Sequence, residues 1–143
     1  MPVSPPASIQ SKPLRIFVVE DHLDTANSVR MFLESLGHTV LCATSMGWAL
    51  EELPRAGCDV LLCDIKLPDG DGWDLLSQVK GRLARPTYAV AMSAHTQPID
   101  HAKSRDAGFY HHLDKPIDPM MLIAVLNQAA GALSRLARNG DAF

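Results

Sequence analysis

Short apolar runs recur along this chain, with amphipathic stretches between them. The runs are Leu14–Val19, Thr39–Ala43, Asp59–Cys63 and Thr87–Met92, with a weaker one at Phe109–Leu113. A strand that is apolar at successive positions, instead of alternating, is a strand covered on both faces. The stretches between them carry helical spacing. Ala26, Val29, Leu33 and Leu36 mark a first helix over Leu23 to Leu36, closed by Gly37. Met46 to Leu53 predicts a second, broken near Pro54 and Gly57, and Trp73, Leu76 and Val79 mark a third. Pro98 to Ala107 is a fourth and more polar one, stopped by Gly108. Asp118 then serves as N-cap and Pro119 as the first helical residue of a last helix running to about Ala137. This alternation with short connections predicts an α/β fold, a parallel sheet with helices on both faces. Right-handed crossovers then gather all five strand ends on one edge.

The residues at that edge are polar. The first strand runs into Glu20-Asp21, the third into Asp64, the fourth into Ser93, and the fifth is followed by Lys115-Pro116. Burying a carboxylate beside an apolar strand is costly unless it is paired or metal-bound. In open α/β sheets this edge is where ligands bind. Two acids, a lone Asp, a hydroxyl and a cation suit a divalent metal and a phosphoryl group. Asp64 stands alone after the most apolar strand and is the candidate nucleophile, since a carboxylate can accept a phosphoryl group as an acyl phosphate. Mg²⁺, with Mn²⁺ as a substitute, takes the oxygen ligands available here. Asp21 is read as a direct ligand, Glu20 as acting through water, and the Lys66 backbone carbonyl as completing the shell. Lys115 is expected to pair with Asp64 and then to hold a phosphoryl oxygen, and Ser93 to donate to another.

The bulk numbers narrow the partners. The chain has 143 residues, enough for one core, and a net charge of −3, without the basic face of a nucleic-acid binder. No apolar run approaches the ~20 residues of a membrane span. Cys42, Cys58 and Cys63 form no C-x-x-C pair, so no disulfide framework is expected and a reducing cytoplasm fits. Residues 1–13 hold four prolines and read as a flexible leader, residues 14–137 as the domain, and 138–143 as a tail.

Taken together, Val18-Val19-Glu20-Asp21, Leu62-Cys63-Asp64-Ile65-Lys66-Leu67-Pro68-Asp69-Gly70-Asp71-Gly72, Met92-Ser93-Ala94 and Leu113-Asp114-Lys115-Pro116-Ile117 resemble the receiver domain of two-component response regulators. The resemblance covers roughly Leu14 to Leu136. It implies a flavodoxin-like, CheY-like doubly wound sheet of order 2-1-3-4-5 with five helices. It also implies an Asp phosphorylated by a histidine kinase or a histidine phosphotransfer protein. By position, Asp64 is the phosphoacceptor, Glu20 and Asp21 the acid pair, Ser93 the switch hydroxyl and Lys115 the essential lysine. The aromatic switch position falls on His112, where Tyr or Phe is commoner; His112 is expected still to rotate inward on phosphorylation, with weaker packing and pH sensitivity. Lys66 and His95 fall on positions that tune phosphoryl lifetime. The readout face would be the fourth helix, fifth strand and fifth helix.

Rival readings fare worse on the residues. A calcium loop starting at Asp64 would need oxygen donors where Lys66 and Pro68 stand, so Asp69 to Gly72 reads as a turn into a helix. A haloacid-dehalogenase-type phosphatase would want a second Asp at Lys66. His111 and His112 are adjacent on a strand and point to opposite faces, so they do not share a metal. A receiver-like interaction module that is never phosphorylated is the alternative function, but the chemical set is complete. The chain is therefore expected to act as a phosphoacceptor and not as an enzyme, beyond its own phosphorylation and dephosphorylation. With no room for an output domain after the last helix, the signal is expected to pass to a downstream protein target or through homodimer formation on that apolar helix.

Overall fold

The computed structural model describes residues 12–94 and 97–139. Five parallel strands form the central sheet: β1 (Arg15–Val19), β2 (Thr39–Ala43), β3 (Val60–Asp64), β4 (Tyr88–Ser93) and β5 (His111–Asp114). Their order is β2-β1-β3-β4-β5, the expected flavodoxin-like arrangement. Five helices connect and flank them: α1 (Leu23–Ser35), α2 (Met46–Ala56), α3 (Gly72–Val79), α4 (Pro98–Ala107) and α5 (Pro119–Asn139). The predicted leader falls outside the described residues except for positions 12 and 13, and the last helix passes the predicted boundary at 137.

The continuous apolar strands are explained by two cores. Phe17, Val19, Leu61, Cys63, Ala89 and Ala91 face a core built with α2 and α3. Their alternates Ile16, Val18, Val60, Leu62, Val90 and Met92 face a second core with Leu33 of α1 and Leu122, Val125, Leu126 and Ala129 of α5. Successive side chains of a strand point to opposite faces, so both sides of each strand remove apolar surface from water. Cys58 and Cys63 are buried free thiols, and burial pushes the Cys58 thiol up to about 12, so both behave as small hydrophobes.

Three expectations need correction. Pro54 does not break α2, which continues to Ala56. A proline leaves the carbonyl four residues earlier without its helical donor. Here that carbonyl belongs to Leu50, and the Arg82 guanidinium donates to it at 3.1 Å. The fifth strand begins at His111 and not at Phe109, because Gly108 ends α4 at φ 112° and Phe109 turns into the α2–α3 core before pairing starts. Finally, α5 is long and apolar enough by length and composition to cross a membrane, contrary to the run-length reading. Its apolar stripe is amphipathic and packs on the sheet, while Met120 and Met121 stay exposed. The Asp118 side chain accepts from the Met120 N–H at 2.9 Å, as its capping role predicts.

Asp69 and Asp71, in the stretch read as a turn into a helix, are helix caps. Asp69 accepts from the Met46 and Gly47 N–H groups, each at 2.8 Å, and so caps α2 from 23 residues away in sequence. Asp71 accepts from the Asp74 N–H at 2.8 Å and caps α3. Between them, Lys66-Leu67 pairs antiparallel with Gly70-Asp71 in a short ladder. Gly72 follows at a close approach: a Cβ there would lie 2.7 Å from the Asp64 carbonyl oxygen and 3.1 Å from Cys63 Sγ. Only glycine lets α3 start against the end of β3.

Candidate functional site

Because β1, β3 and β4 are in parallel register, their carboxyl ends emerge side by side. Val19 pairs with Cys63, and Asp64 pairs with Met92. The next residues therefore converge on one crevice of about 750 Å³, lined by Asp21, Asp64, Lys66, Ser93 and Lys115 among others. Six of the eight side chains singled out from the sequence lie at this edge. Glu20 is fully buried, Asp64 and Ser93 nearly so, and Asp21 is partly exposed to the crevice. His112 lies one layer away and His95 falls outside the described residues.

Lys115 organises the charges. Its backbone N–H donates to the Ser93 carbonyl at 2.8 Å, fixing the β4–β5 end. Its ammonium donates to Asp64 Oδ2 at 2.9 Å and also to Glu20 Oε1. The pairing with Asp64 was expected; the bond to Glu20, across 95 residues of sequence, was not. Asp64 Oδ1 accepts from the Lys66 N–H at 3.3 Å, and Glu20 Oε2 from the His22 N–H at 3.2 Å. The Lys115–Pro116 peptide is cis.

Two buried carboxylates share one cation, and their proton affinities separate. For Asp64, burial and the nearby Glu20 charge outweigh the Lys115 hydrogen bond and push its pKa up to about 6. For Glu20, burial pushes up, but hydrogen bonds from Lys115 and the His22 backbone together hold it below the usual carboxylate range. Lys115 loses solvation, yet its bonds to Glu20 and Asp64 keep its pKa above the usual lysine value. At neutral pH, Asp64 is an ionised carboxylate in a costly setting, which favours any event that brings positive charge or a covalent partner.

The donor set suits a hard cation. Asp21, Asp64 and the Lys66 backbone all border the crevice and offer oxygen only, the ligand type that Mg²⁺ takes. Glu20, tied to Lys115, is the less available acid. The sequence reading missed His22, whose Nδ1 lies 3.6 Å from both Glu20 Oε2 and Asp21 Oδ1. Adjacency to the acid pair was the available signal. It also missed Trp73, Asp100 and Lys103, which wall the crevice from α3 and α4, with the Lys103 ammonium 5.1 Å over the Trp73 ring. No local pattern announced these.

His111 and His112 do part to opposite faces. His111 Nε2 meets the Tyr88 hydroxyl at 2.9 Å. His112 Nδ1 meets Ser104 Oγ at 2.7 Å, and its side chain is 3% exposed, so it already occupies an interior position.

Residues 16–127 match the model of the response regulator receiver domain. An uncharacterized 14.6 kDa protein of Leptolyngbya boryana is 33% identical over 79% of this chain and 87% of its own length. The transcriptional regulatory protein KdpE of Mycobacterium tuberculosis is 28% identical over 90% of this chain. The sensory/regulatory protein RpfC of Xanthomonas campestris is 28% identical over 87% of it. The match spans 58% of KdpE and 18% of RpfC. Among solved structures, the CheY-like receiver domain protein of Methanospirillum hungatei superposes with a TM-score of 0.77 at 24% identity, over 87% of this chain and 98% of that one. The match across the sheet and its acidic edge places the chain in a known family: it belongs to the response regulator receiver domains of two-component systems.

Proposed function

We propose that this receiver takes a phosphoryl group on Asp64 from a phosphohistidine of a histidine kinase or a histidine phosphotransfer protein, in the cytoplasm. The Asp64 carboxylate attacks phosphorus, the P–N bond breaks as the P–O bond forms, and the imidazole leaves with the electron pair and takes a proton. The observation that carries this reading is the placement of Asp64: nearly buried at the end of the central strand, 2.9 Å from the Lys115 ammonium, on a crevice bordered by Asp21 and Ser93. Lys115 holds the carboxylate before reaction and can follow a phosphoryl oxygen afterwards, while Ser93 donates to another. Asp21, Asp64 and the Lys66 carbonyl would hold Mg²⁺, or Mn²⁺ in its place, with Glu20 acting through water. A bound divalent ion supplies neutralisation of phosphoryl charge as it nears the carboxylate. The chain is thus a phosphoacceptor and not an enzyme acting on a separate substrate.

Phosphorylation then biases the packing of Ser93 and His112 and so the α4–β5–α5 face. Exposed Ile99, Tyr110, Met120 and Met121 lie on those elements and their flanks, apolar surface suited to a protein target or a second copy. Lys66 borders the crevice and fits a role in tuning phosphoryl lifetime, with His95 its counterpart.

Intact-mass analysis after incubation with acetyl phosphate and Mg²⁺ tests the reading. One added phosphoryl group is expected, lost in Asp64→Ala and on chelation. No adduct in the native chain, together with no binding of beryllium fluoride, would overturn it in favour of a receiver-like interaction module.

A further inference from the structure

Behind the crevice, between α4 and β5, lies a second constellation that phosphoryl chemistry does not use. His101 of α4 and His112 of β5 stack with ring centroids 4.1 Å apart and an interplanar angle of 19°. Asp114, also on β5, presents its Oδ1 3.0 Å from His101 Nε2 and 4.0 Å from His112 Nε2. One ligand atom from each residue lies within 4.8 Å of the others. Tetrahedral zinc at ~2.0–2.1 Å from its ligands sets them about 3.3 Å apart. The two separations to Asp114 straddle that edge length; because the two rings stack, the more exposed His101 ring has to tilt out of the stack for both imidazole lone pairs to meet one ion.

We propose that His101, His112 and Asp114 form a transition-metal site, of the zinc type, that ties α4 to β5. Two imidazoles and one carboxylate prefer Zn²⁺ to Mg²⁺, whereas the oxygens of Asp21, Asp64 and Lys66 prefer the reverse; the one imidazole beside those acids is His22, 3.6 Å from Glu20 and Asp21. The surroundings fit as well. Trp73 Nε1 can only donate, and it donates to Ser104 Oγ at 2.8 Å. Ser104 Oγ retains a second lone pair, which can accept from His112 Nδ1–H at 2.7 Å. That tautomer leaves Nε2 of His112 as the ligand atom, turned toward Asp114. A hydrogen bond to the far nitrogen is how metal-binding histidines are oriented. His112 is buried while His101 and Asp114 are 39% and 46% exposed, so an ion enters from the solvent side and water completes its shell. The site itself stands without the phosphoryl reading; only its consequence for the switch rests on that reading, because the ion would restrain the two elements that the phosphoryl group is to rearrange.

The test is calorimetric titration of the full chain with ZnCl₂ under saturating Mg²⁺, which competes at the crevice acids. One Zn²⁺ per chain is expected. His101→Ala and Asp114→Asn, both at exposed side chains, should each weaken binding about 100-fold or more with an unchanged circular dichroism spectrum, and Ser104→Ala about 10-fold. His22→Ala should leave binding intact. Amide exchange across Pro98–Ala107 should slow on adding Zn²⁺. Absence of Zn²⁺ binding, binding that survives His101→Ala or Asp114→Asn, or loss in His22→Ala would overturn the site. Unchanged exchange in α4 would overturn the clamp. Phosphorylation of Asp64 is read separately by mass, so either idea can fail alone.

Discussion

The two edges of the sheet both carry charge, and they carry it in opposite ways. At the amino edge, Asp59 is an acid among donors. Its Oδ2 accepts from the Arg15 N–H at 2.7 Å, its Oδ1 lies 3.4 Å from Arg85 Nη2, and the Arg15 guanidinium donates to the Gly57 carbonyl at 2.9 Å. Asp59 thus accepts one backbone N–H and pairs with one arginine side chain, Arg85, and that ion pair is partly in solvent. At the carboxyl edge, two buried acids share one lysine beside an open crevice. The first arrangement satisfies a strand start. The second leaves carboxylate charge undercompensated, which is a poor way to stabilise a fold and a good way to receive a cation or an electrophile.

Mutation should separate the two edges most sharply at their ion pairs. Lys115→Ala leaves two buried carboxylates facing each other, so a loss of about 3–5 kcal/mol is expected at pH 7 by urea denaturation. The loss should shrink toward pH 4, where protonation removes the repulsion. At the amino edge, Asp59→Ala should cost only about 1 kcal/mol, the scale of one hydrogen bond and a partly exposed pair. Equal losses would erase the contrast. Gly72→Ala presses a methyl on the Asp64 carbonyl, and about 1–3 kcal/mol of overpacking should appear as a lower Tm together with slower phosphorylation.

The smallest effect has the opposite sign. A carboxylate whose folded pKa is raised to about 6 binds its proton more tightly in the folded state than in the unfolded chain. Its favourable contribution is present below about pH 4 and is lost as pH rises through about 6. Asp64→Asn, which carries no charge at any pH, should therefore melt a few degrees above the native chain at pH 8, roughly what 1 kcal/mol supplies in a domain of this size. The gap should close as pH falls through 6. Phosphorylation of the native chain should decline over the same interval, as the nucleophile gains a proton.

The carboxyl edge was largely legible in the sequence. A strand end is covalently joined to the residues after it, so Glu20, Asp21, Asp64 and Ser93 could be assigned to one edge from the β-α alternation alone. Pairings between elements were less legible. That Lys115 reaches Glu20 as well as Asp64, or that Asp69 caps a helix 23 residues back, depends on strand register and loop path. The local rule for Pro54 predicted a helix end, and an arginine from elsewhere in the chain offset it.

Architecture and the gathering of polar groups at one sheet edge were thus written into the order of residues. Apolar runs buried on both faces permit few folds, and an acid at a strand end has few places to go. Which charges share a partner, and which imidazoles meet, emerged only from the packed chain. His112 was read from sequence beside His111, from which it turns away; its real neighbours are His101 and Ser104, brought to it by the return of α4 along β5. The reason is geometric. Side-chain chemistry acts within about 3–4 Å, and separations on that scale between distant residues are set by packing and register, which no local pattern encodes.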